Sequence, residues 1–209
     1  AIDCRTNSEV IDINATTKTV IIKNRLNGEV TTESYDKLVL SPGSAPIRPP
    51  LPGIELEGIF SVGTVGDAKN IKKWLNKNVS LSGLNEYSSI DVLSKPKRAV
   101  VIGGGFIGLE MVENFIDLGL EVTLLEKLNQ VMPPLDAEMA KVVKNYMEKR
   151  GVKVVLSDGV SGFKAAENGS LEVLTELGKV LPADVVILAI GVRPETALAK
   201  MAGIEIGER

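Results

Sequence analysis

Histidine is absent from this 209-residue chain, and cysteine occurs once, as Cys4. Ser-His-Asp triads, Cys-His dyads, disulfide scaffolds and metal sites built on His or Cys cannot be assembled from such a chain. Cys4 stands in a polar stretch with no CxxC partner and no cationic helix start beside it, which reads as a structural or incidental thiol rather than a redox centre. Redox chemistry would therefore have to come through a bound cofactor or through other protein. Basic residues hold no majority either: 24 Lys and Arg face 27 Asp and Glu, for a net charge of -3. Without a Lys/Arg surplus there is no phosphate-backbone surface, so no nucleic-acid partner is expected. No apolar run approaches the roughly 20 residues of a membrane span, and the N-terminus has no charged segment followed by an apolar one. The expectation is a soluble, cytoplasmic protein with no membrane partner.

What is present is ordinary globular composition, 44% hydrophobic and 24% charged, enough to bury one or two cores. Residues 98–126 read strand, glycine loop, helix, strand. Ala99, Val100, Val101 and Ile102 form a short continuous apolar run bounded by Arg98 and Gly103, the mark of a strand buried on both faces of a parallel sheet. Ile107, Met111 and Phe115 then recur every four residues, and Gly119 is placed to end that helix in a left-handed conformation. Residues 120–125 return as a second apolar strand. Asp136 is the expected N-cap of a second helix with an apolar stripe of Met139, Val143 and Met147, Gly151 its stop, and residues 152–156 a third strand. Methionines at this spacing are read as core filling. The pattern is a βαβαβ half of a doubly wound domain.

After it, residues 160–165, 170–175 and 179–181 read as hairpin-linked strands punctuated by Asn168-Gly169 and Gly178, and residues 185–190 as a last buried strand ending at Gly191. The start of the chain repeats this second half. Residues 9–14, 19–23 and 29–32 alternate as a meander with an Asn27-Gly28 turn, and residues 35–43 share with 183–191 an acid, an apolar run and a terminal glycine. An internal duplication is the economical reading. The first copy then lacks the strand, glycine loop and helix that should precede its meander, so the chain is expected to start in mid-domain; a complete small domain that opens with a meander is the alternative. Pro46, Pro49, Pro50 and Pro52 crowd a segment that can be neither helix nor inner strand, as at a domain crossing. Residues 67–75 have a helical pattern, and 76–96 read as a polar surface excursion. The expected domains are 1–63, part of one dinucleotide-binding domain; 64–190, a second; and 191–209, a return into the first.

The run Gly103-Gly104-Gly105-Phe106-Ile107-Gly108 is where this pattern carries chemistry. A helix N-terminus exposes unpaired N–H groups and a partial positive charge that stabilise a pyrophosphate, provided the loop backbone comes close. Gly103 would make the tight turn, Gly105 would admit the pyrophosphate, and Gly108 would let the helix pack on the strand. Glu126 ends the next strand 126 − 103 = 23 residues on, near the spacing of the acid that accepts the adenosine ribose hydroxyls. A carboxylate there repels a 2′-phosphate, which favours NADH over NADPH, while Lys127 next to it argues the other way. Glu110 lies in the first turns of the helix, and as a residue type it is equally an ordinary acid favoured by the helix dipole.

Residues 35–46 (YDKLVLSPGSAP), Pro52-Gly53, the GGGFIGLE run at 103–110, residues 122–136 (VTLLEKLNQVMPPLD) and Gly191-Val192-Arg193-Pro194-Glu195 together resemble the flavin-dependent pyridine nucleotide-disulfide oxidoreductases. Within that family the resemblance is to coenzyme A-disulfide reductase, NADH-dependent persulfide reductase and NADH oxidase. It implies an α/β, Rossmann-like three-layer FAD/NAD(P)-binding fold with a β-meander, plus part of a second such domain. It also implies hydride transfer from NADH through FAD to a small-molecule disulfide or persulfide, the flavin carrying the difficult step. Ser41, Pro42 and Gly43 would lie against the FAD adenosine-pyrophosphate, and Val10 near the adenine. Glu110 would orient the nicotinamide carboxamide near the flavin, and Gly191 would let the nicotinamide approach. The flavin fingerprint, the catalytic cysteine, the later Gly-Asp flavin contact and the C-terminal dimerisation domain have no match in this sequence. Cys4 does not match the catalytic cysteine, and Gly63 stands where relatives often carry arginine. The chain is accordingly expected to hold NADH without turning over by itself, as a portion of a homodimeric FAD enzyme. An NADH oxidase or peroxidase of the same family and a stand-alone NADH-binding module are the alternatives.

Overall fold

A computed structural model describes residues 2–76, 96–167 and 169–207. Most of the expected surface excursion at 76–96, and Asn168 of the expected Asn-Gly turn, lie outside the described residues. The chain divides into two compact units, one comprising residues 46–192 and the other residues 1–45 with 193–209.

The larger unit is built on a five-stranded, wholly parallel sheet in the order β5 (Ile59–Ser61), β12 (Val185–Leu188), β6 (Arg98–Ile102), β7 (Glu121–Leu125) and β8 (Lys153–Val155). Side chains on a strand alternate between faces, and here both faces are covered, so the buried positions of the central strands are apolar on both faces. Ala99 and Val101 of β6, Val122 and Leu124 of β7, and Val185 and Ile187 of β12 join one core. That core includes Ile71 of α1 (Val65–Leu75), Val112 and Phe115 of α2 (Phe106–Asp117), and Met147 of α3 (Ala137–Lys149). Val100, Ile102, Leu125, Val186 and Leu188 join a second core with Phe163, Leu171, Val173 and Leu181. Those residues come from an antiparallel meander of β9 (Val160–Ala165), β10 (Leu171–Thr175) and β11 (Val180–Ala183), in the order β11-β10-β9. Helices, sheet and meander are the three layers of the expected α/β fold.

One acid fastens three of these elements. Asp184, just before β12, accepts N–H groups of Lys97 and Arg98 at 2.9 and 3.0 Å and pairs with the Arg98 guanidinium at 2.7 Å, while its carbonyl accepts the Trp74 indole N–H of α1 at 2.9 Å. Burial by itself pushes the Asp184 carboxyl upward, but Arg98 and the two amides outweigh it and hold the group below the ordinary Asp value.

The helices keep their expected ends and change their expected faces. Gly119 and Gly151 stop α2 and α3 with φ of +81° and +88°, as a left-handed C-terminal residue requires. In α2 the buried side is Gly108, Val112 and Phe115, not the stripe Ile107, Met111 and Phe115, because the glycine is needed on the side that meets the sheet. In α3 Ala140 and Met147 are buried while Met139 is exposed. Asp136 stands at the N-cap but makes no side-chain capping bond. By contrast, Thr64 and Asp67 cap α1 reciprocally, each side chain accepting the other's backbone N–H.

In the smaller unit β1 (Ser8–Asn14), β2 (Thr19–Asn24) and β3 (Val30–Ser34) form an antiparallel meander, with Gly28 at φ +76° in the β2–β3 turn. α4 (Ala197–Met201) belongs to this unit. The buried strand expected at 35–43 does not form: Leu38, Val39 and Leu40 are exposed, and no described strand pairs with them. A strand of that kind is held by parallel neighbours on both sides, and its own sequence cannot supply them. β4 (Ser44–Pro46) and β13 (Val192–Pro194) pair with each other, and the division between units runs through both. The expected boundaries at 63/64 and 190/191 thus differ from the observed 45/46 and 192/193. The difference arises because β5 joins the edge of the parallel sheet beside β12, and Ile54 packs in the core beneath the meander.

Candidate functional site

β6 runs into the sheet core and ends at Gly103, so whatever follows must turn over the carboxyl edge of the strands, where open parallel sheets place their ligand sites. Gly103 has φ +106°, and a Cβ there would collide with the Ala189 carbonyl at the end of β12. Its N–H donates to the Leu125 carbonyl at 2.8 Å, which ties the turn to β7. Gly108, one turn into α2, lies so close to the Gly103 carbonyl that no Cβ could be accommodated. Gly103 and Gly108 are therefore glycines for packing, and they aim the N-terminus of α2 along the sheet edge.

Gly105 is different. It is the N-cap of α2 with φ −83° and ψ −171°, a conformation any residue can adopt, and a Cβ built on it would meet nothing within 4 Å. Its side-chain direction opens into a cavity of about 690 Å³ that Gly103, Gly105, Phe106 and Ile107 line together with Glu126, Lys127 and Gly191. α2 has no side-chain cap, so its first amides are unclaimed by a protein acceptor at that position. The half-exposed Phe106 and Ile107 sit in the first turn beside those amides.

Glu126 is buried at the end of β7, where it braces the loop. Its Oε2 accepts the Gly104 N–H at 2.5 Å and its Oε1 accepts the Leu128 N–H at 2.7 Å. Each carboxylate oxygen has a second lone pair, so the group can hold the glycine loop and still accept two hydroxyl protons from the cavity side. Lys127 points outward and pairs with Glu176 at 2.8 Å. Gly191 also lines the cavity, with φ +109°, its carbonyl accepting the Ile47 N–H at 3.0 Å.

Six residues singled out from sequence lie elsewhere. Glu110 is exposed on α2 and does not line the cavity. Val10 lies on β1 beside a bulge, and Ser41, Pro42 and Gly43 are exposed in the irregular stretch before β4, where the Gly43 carbonyl accepts the Glu195 N–H at 2.9 Å. Cys4 is free and exposed. Conversely, the meander delivers three cavity residues that pattern reading treated as plain strand or turn: Asp158, Gly159 and Glu176. The Asp158-Gly159 dipeptide after a buried strand was the only local signal for them.

Asp158 is almost fully buried. Its Oδ1 accepts the Leu177 N–H at 3.1 Å, and its Oδ2 makes no hydrogen bond but faces the Lys179 ammonium at 3.2 Å. Burial pushes this carboxyl upward, yet the Leu177 amide and the Lys179 and Thr175 side chains together hold it below the ordinary Asp value. It stays ionised and pins the β10–β11 turn next to the cavity. Among the described residues no group of His, Cys, Asp and Glu is arranged to hold a metal ion, and no helix is long and apolar enough to cross a membrane.

A glycine loop ending a parallel strand, an open helix N-terminus and a buried acid thus line one cavity. The chain is 36% identical over 208 residues to a protein named NADH oxidase from Methanocaldococcus jannaschii, covering 99% of this chain and 42% of that protein. A crystal structure of reduced Bacillus anthracis CoADR-RHD matches with a TM-score of 0.82 at 45% identity, over 97% of this chain and 33% of the other. The NAD-dependent persulfide reductase of A. fulgidus matches with a TM-score of 0.83 at 36% identity, over 99% of this chain and 35% of the other. The chain thus spans less than half the length of each protein it resembles. All of its residues, 1–209, match one family model, and with the sheet, meander and glycine loop in their places the chain belongs to the pyridine nucleotide-disulphide oxidoreductase family.

Proposed function

We propose that this chain is the NADH-binding portion of an FAD-dependent oxidoreductase that passes hydride from NADH through FAD to a disulfide or persulfide such as coenzyme A disulfide. The observation that carries the reading is the open space above Gly105, at an uncapped helix N-terminus and in the same cavity as Glu126. In it the first amides of α2 hold the pyrophosphate, and Glu126 accepts the adenosine ribose hydroxyls. Gly191, which lines the cavity without a side chain, leaves room for the nicotinamide. Glu110 is assigned to the carboxamide by resemblance. Ser41, Pro42 and Gly43, which are exposed, are assigned to the FAD adenosine-pyrophosphate on the same ground, and the half-buried Val10 to the adenine. The flavin, when bound, supplies the two-electron relay to the acceptor. The longer protein is read as a cytoplasmic homodimer. The name NADH oxidase on the M. jannaschii relative favours, as a second reading, oxygen or peroxide as the acceptor.

Two measurements on the purified chain test the proposal. An NADH fluorescence titration is expected to saturate, and the absorbance spectrum is expected to show no retained flavin. Gly105→Val is expected to abolish the NADH signal while changing stability by less than about 1 kcal/mol, because its Cβ fills ligand space rather than protein. Glu126→Ala is expected to weaken NADH binding and relax discrimination against NADPH. Absence of NADH binding to the unmodified chain would sink the assignment.

A further inference from the structure

Lys127 is the only cationic side chain among the described residues lining the cavity, and it follows directly on the ribose acid Glu126. At that position a free ammonium would attract a 2′-phosphate. It is not free: its Nζ lies 2.8 Å from Oε1 of Glu176. Glu176 comes from the turn between β10 and β11, and its place is fixed by the fold. Its N–H donates to the Gly159 carbonyl at 2.7 Å, and its carboxylate lies over Gly159, where a Cβ would come within 2.6–2.8 Å of the carboxylate atoms. Gly159 thus leaves the room that Glu176 occupies. Gly159 is in turn held to the ribose acid, since the N–H of its neighbour Asp158 donates to the Glu126 carbonyl at 3.2 Å.

The charges at this end then resolve into pairs. Lys179 offsets Asp158 and Glu176 offsets Lys127, while among the described residues no side-chain cation pairs with Glu126. We infer that Glu176 is a second specificity-determining residue, which selects the adenosine 2′-hydroxyl by withholding Lys127 from a 2′-phosphate. The inference rests on the reading of the cavity as a dinucleotide site and assigns the discrimination to two elements, the end of β7 and the β10–β11 turn. A 2′-phosphate, with a charge of about −1.5 to −2 at neutral pH, would have to displace Glu176 from Lys127 and then sit between two carboxylates. Both partners of the pair are substantially exposed, with side-chain accessibilities of 70% and 46%, and such pairs are individually weak, so removing Glu176 releases Lys127 without unfolding the turn.

The test uses adenosine 5′-monophosphate and adenosine 2′,5′-bisphosphate, which differ only at the 2′ position, with NADH and NADPH alongside. Glu176→Gln is expected to bind the bisphosphate and NADPH roughly 3- to 10-fold more tightly while leaving the monophosphate and NADH within about 2-fold, a gain that shrinks as salt is raised. Lys127→Ala in the Glu176→Gln background is expected to remove the gain. If the unmodified chain binds NADH but Glu176→Gln leaves the bisphosphate-to-monophosphate ratio unchanged, the inference fails and the dinucleotide site stands. A gain that survives Lys127→Ala overturns it equally. If neither NADH nor the monophosphate binds the unmodified chain, the site assignment falls and takes the inference with it.

Discussion

The two meanders are built to one plan and end in different circumstances. Both are three-stranded and antiparallel, and both carry a bulge, at Val10/Asp12 in the first and Leu174/Thr175 in the second. In the second, alternate residues of β10 close against the parallel sheet, with Leu171, Val173 and Thr175 buried. In the first, only Ile13 and Val20 are buried. The contrast sharpens at the segment that follows. Within residues 183–191, Val185–Leu188 form β12, buried at all four strand positions between β5 and β6, while the similar run at 35–43 forms no strand and leaves Val39 87% exposed. Hairpins are specified by adjacent turns and alternation and form wherever their sequence occurs. A central parallel strand is specified by partners brought from far along the chain.

The largest expected consequence is in local stability. Amides of Val101 and Ile187 should exchange with solvent on the order of 100-fold or more slowly than those of Ile22 and Thr31, measured by residue-resolved hydrogen exchange. Equal protection in the parallel sheet and in the first meander would break the comparison. Next in size, Phe163→Ala in the buried meander is expected to cost about 3–5 kcal/mol, and Val30→Ala in the exposed one less than about 0.5 kcal/mol, by chemical denaturation. Gly108→Val should cost about 3 kcal/mol and abolish NADH binding with it, whereas Gly105→Val abolishes binding at little cost in stability; a stable Gly108→Val protein would show that the loop does not pack as described. The smallest effect is in acid. Asp158 and Asp184 have folded-state values below the ordinary 3.8, so their stabilisation is complete above that value and declines as pH falls through it. Asp158→Asn should therefore flatten the acid limb of the stability curve of the second unit, and a limb unchanged in the variant would contradict the pairing with Leu177 and Lys179.

The glycine loop was legible because its demands are local. A left-handed turn at Gly103 and a close approach at Gly108 each need the absence of a Cβ, and that absence is written in the residue itself. Helix stops at Gly119 and Gly151 were legible for the same reason. The buried faces of α2 and α3 were not, since Ile107 and Met139 match the helical period yet face outward, and periodicity gives a stripe without saying where the sheet stands relative to it. Asp158, Gly159 and Glu176 were missed because the Asp158-Gly159 dipeptide reads as an ordinary turn and nothing else nearby marks them; the three reach the cavity through the fold of the meander.

By itself, then, the sequence determined the parallel-sheet domain with its glycine loop and the acid at the end of β7, because strand alternation, turn chemistry and the steric need for glycine act over a few residues. Only the tertiary structure decided that Glu126 holds the loop through Gly104 and Leu128, that Lys127 is occupied by Glu176, and that two similar apolar runs differ in whether they become strands. Those outcomes depend on groups as far as 49 residues apart being brought within hydrogen-bonding distance, and no local rule carries that information.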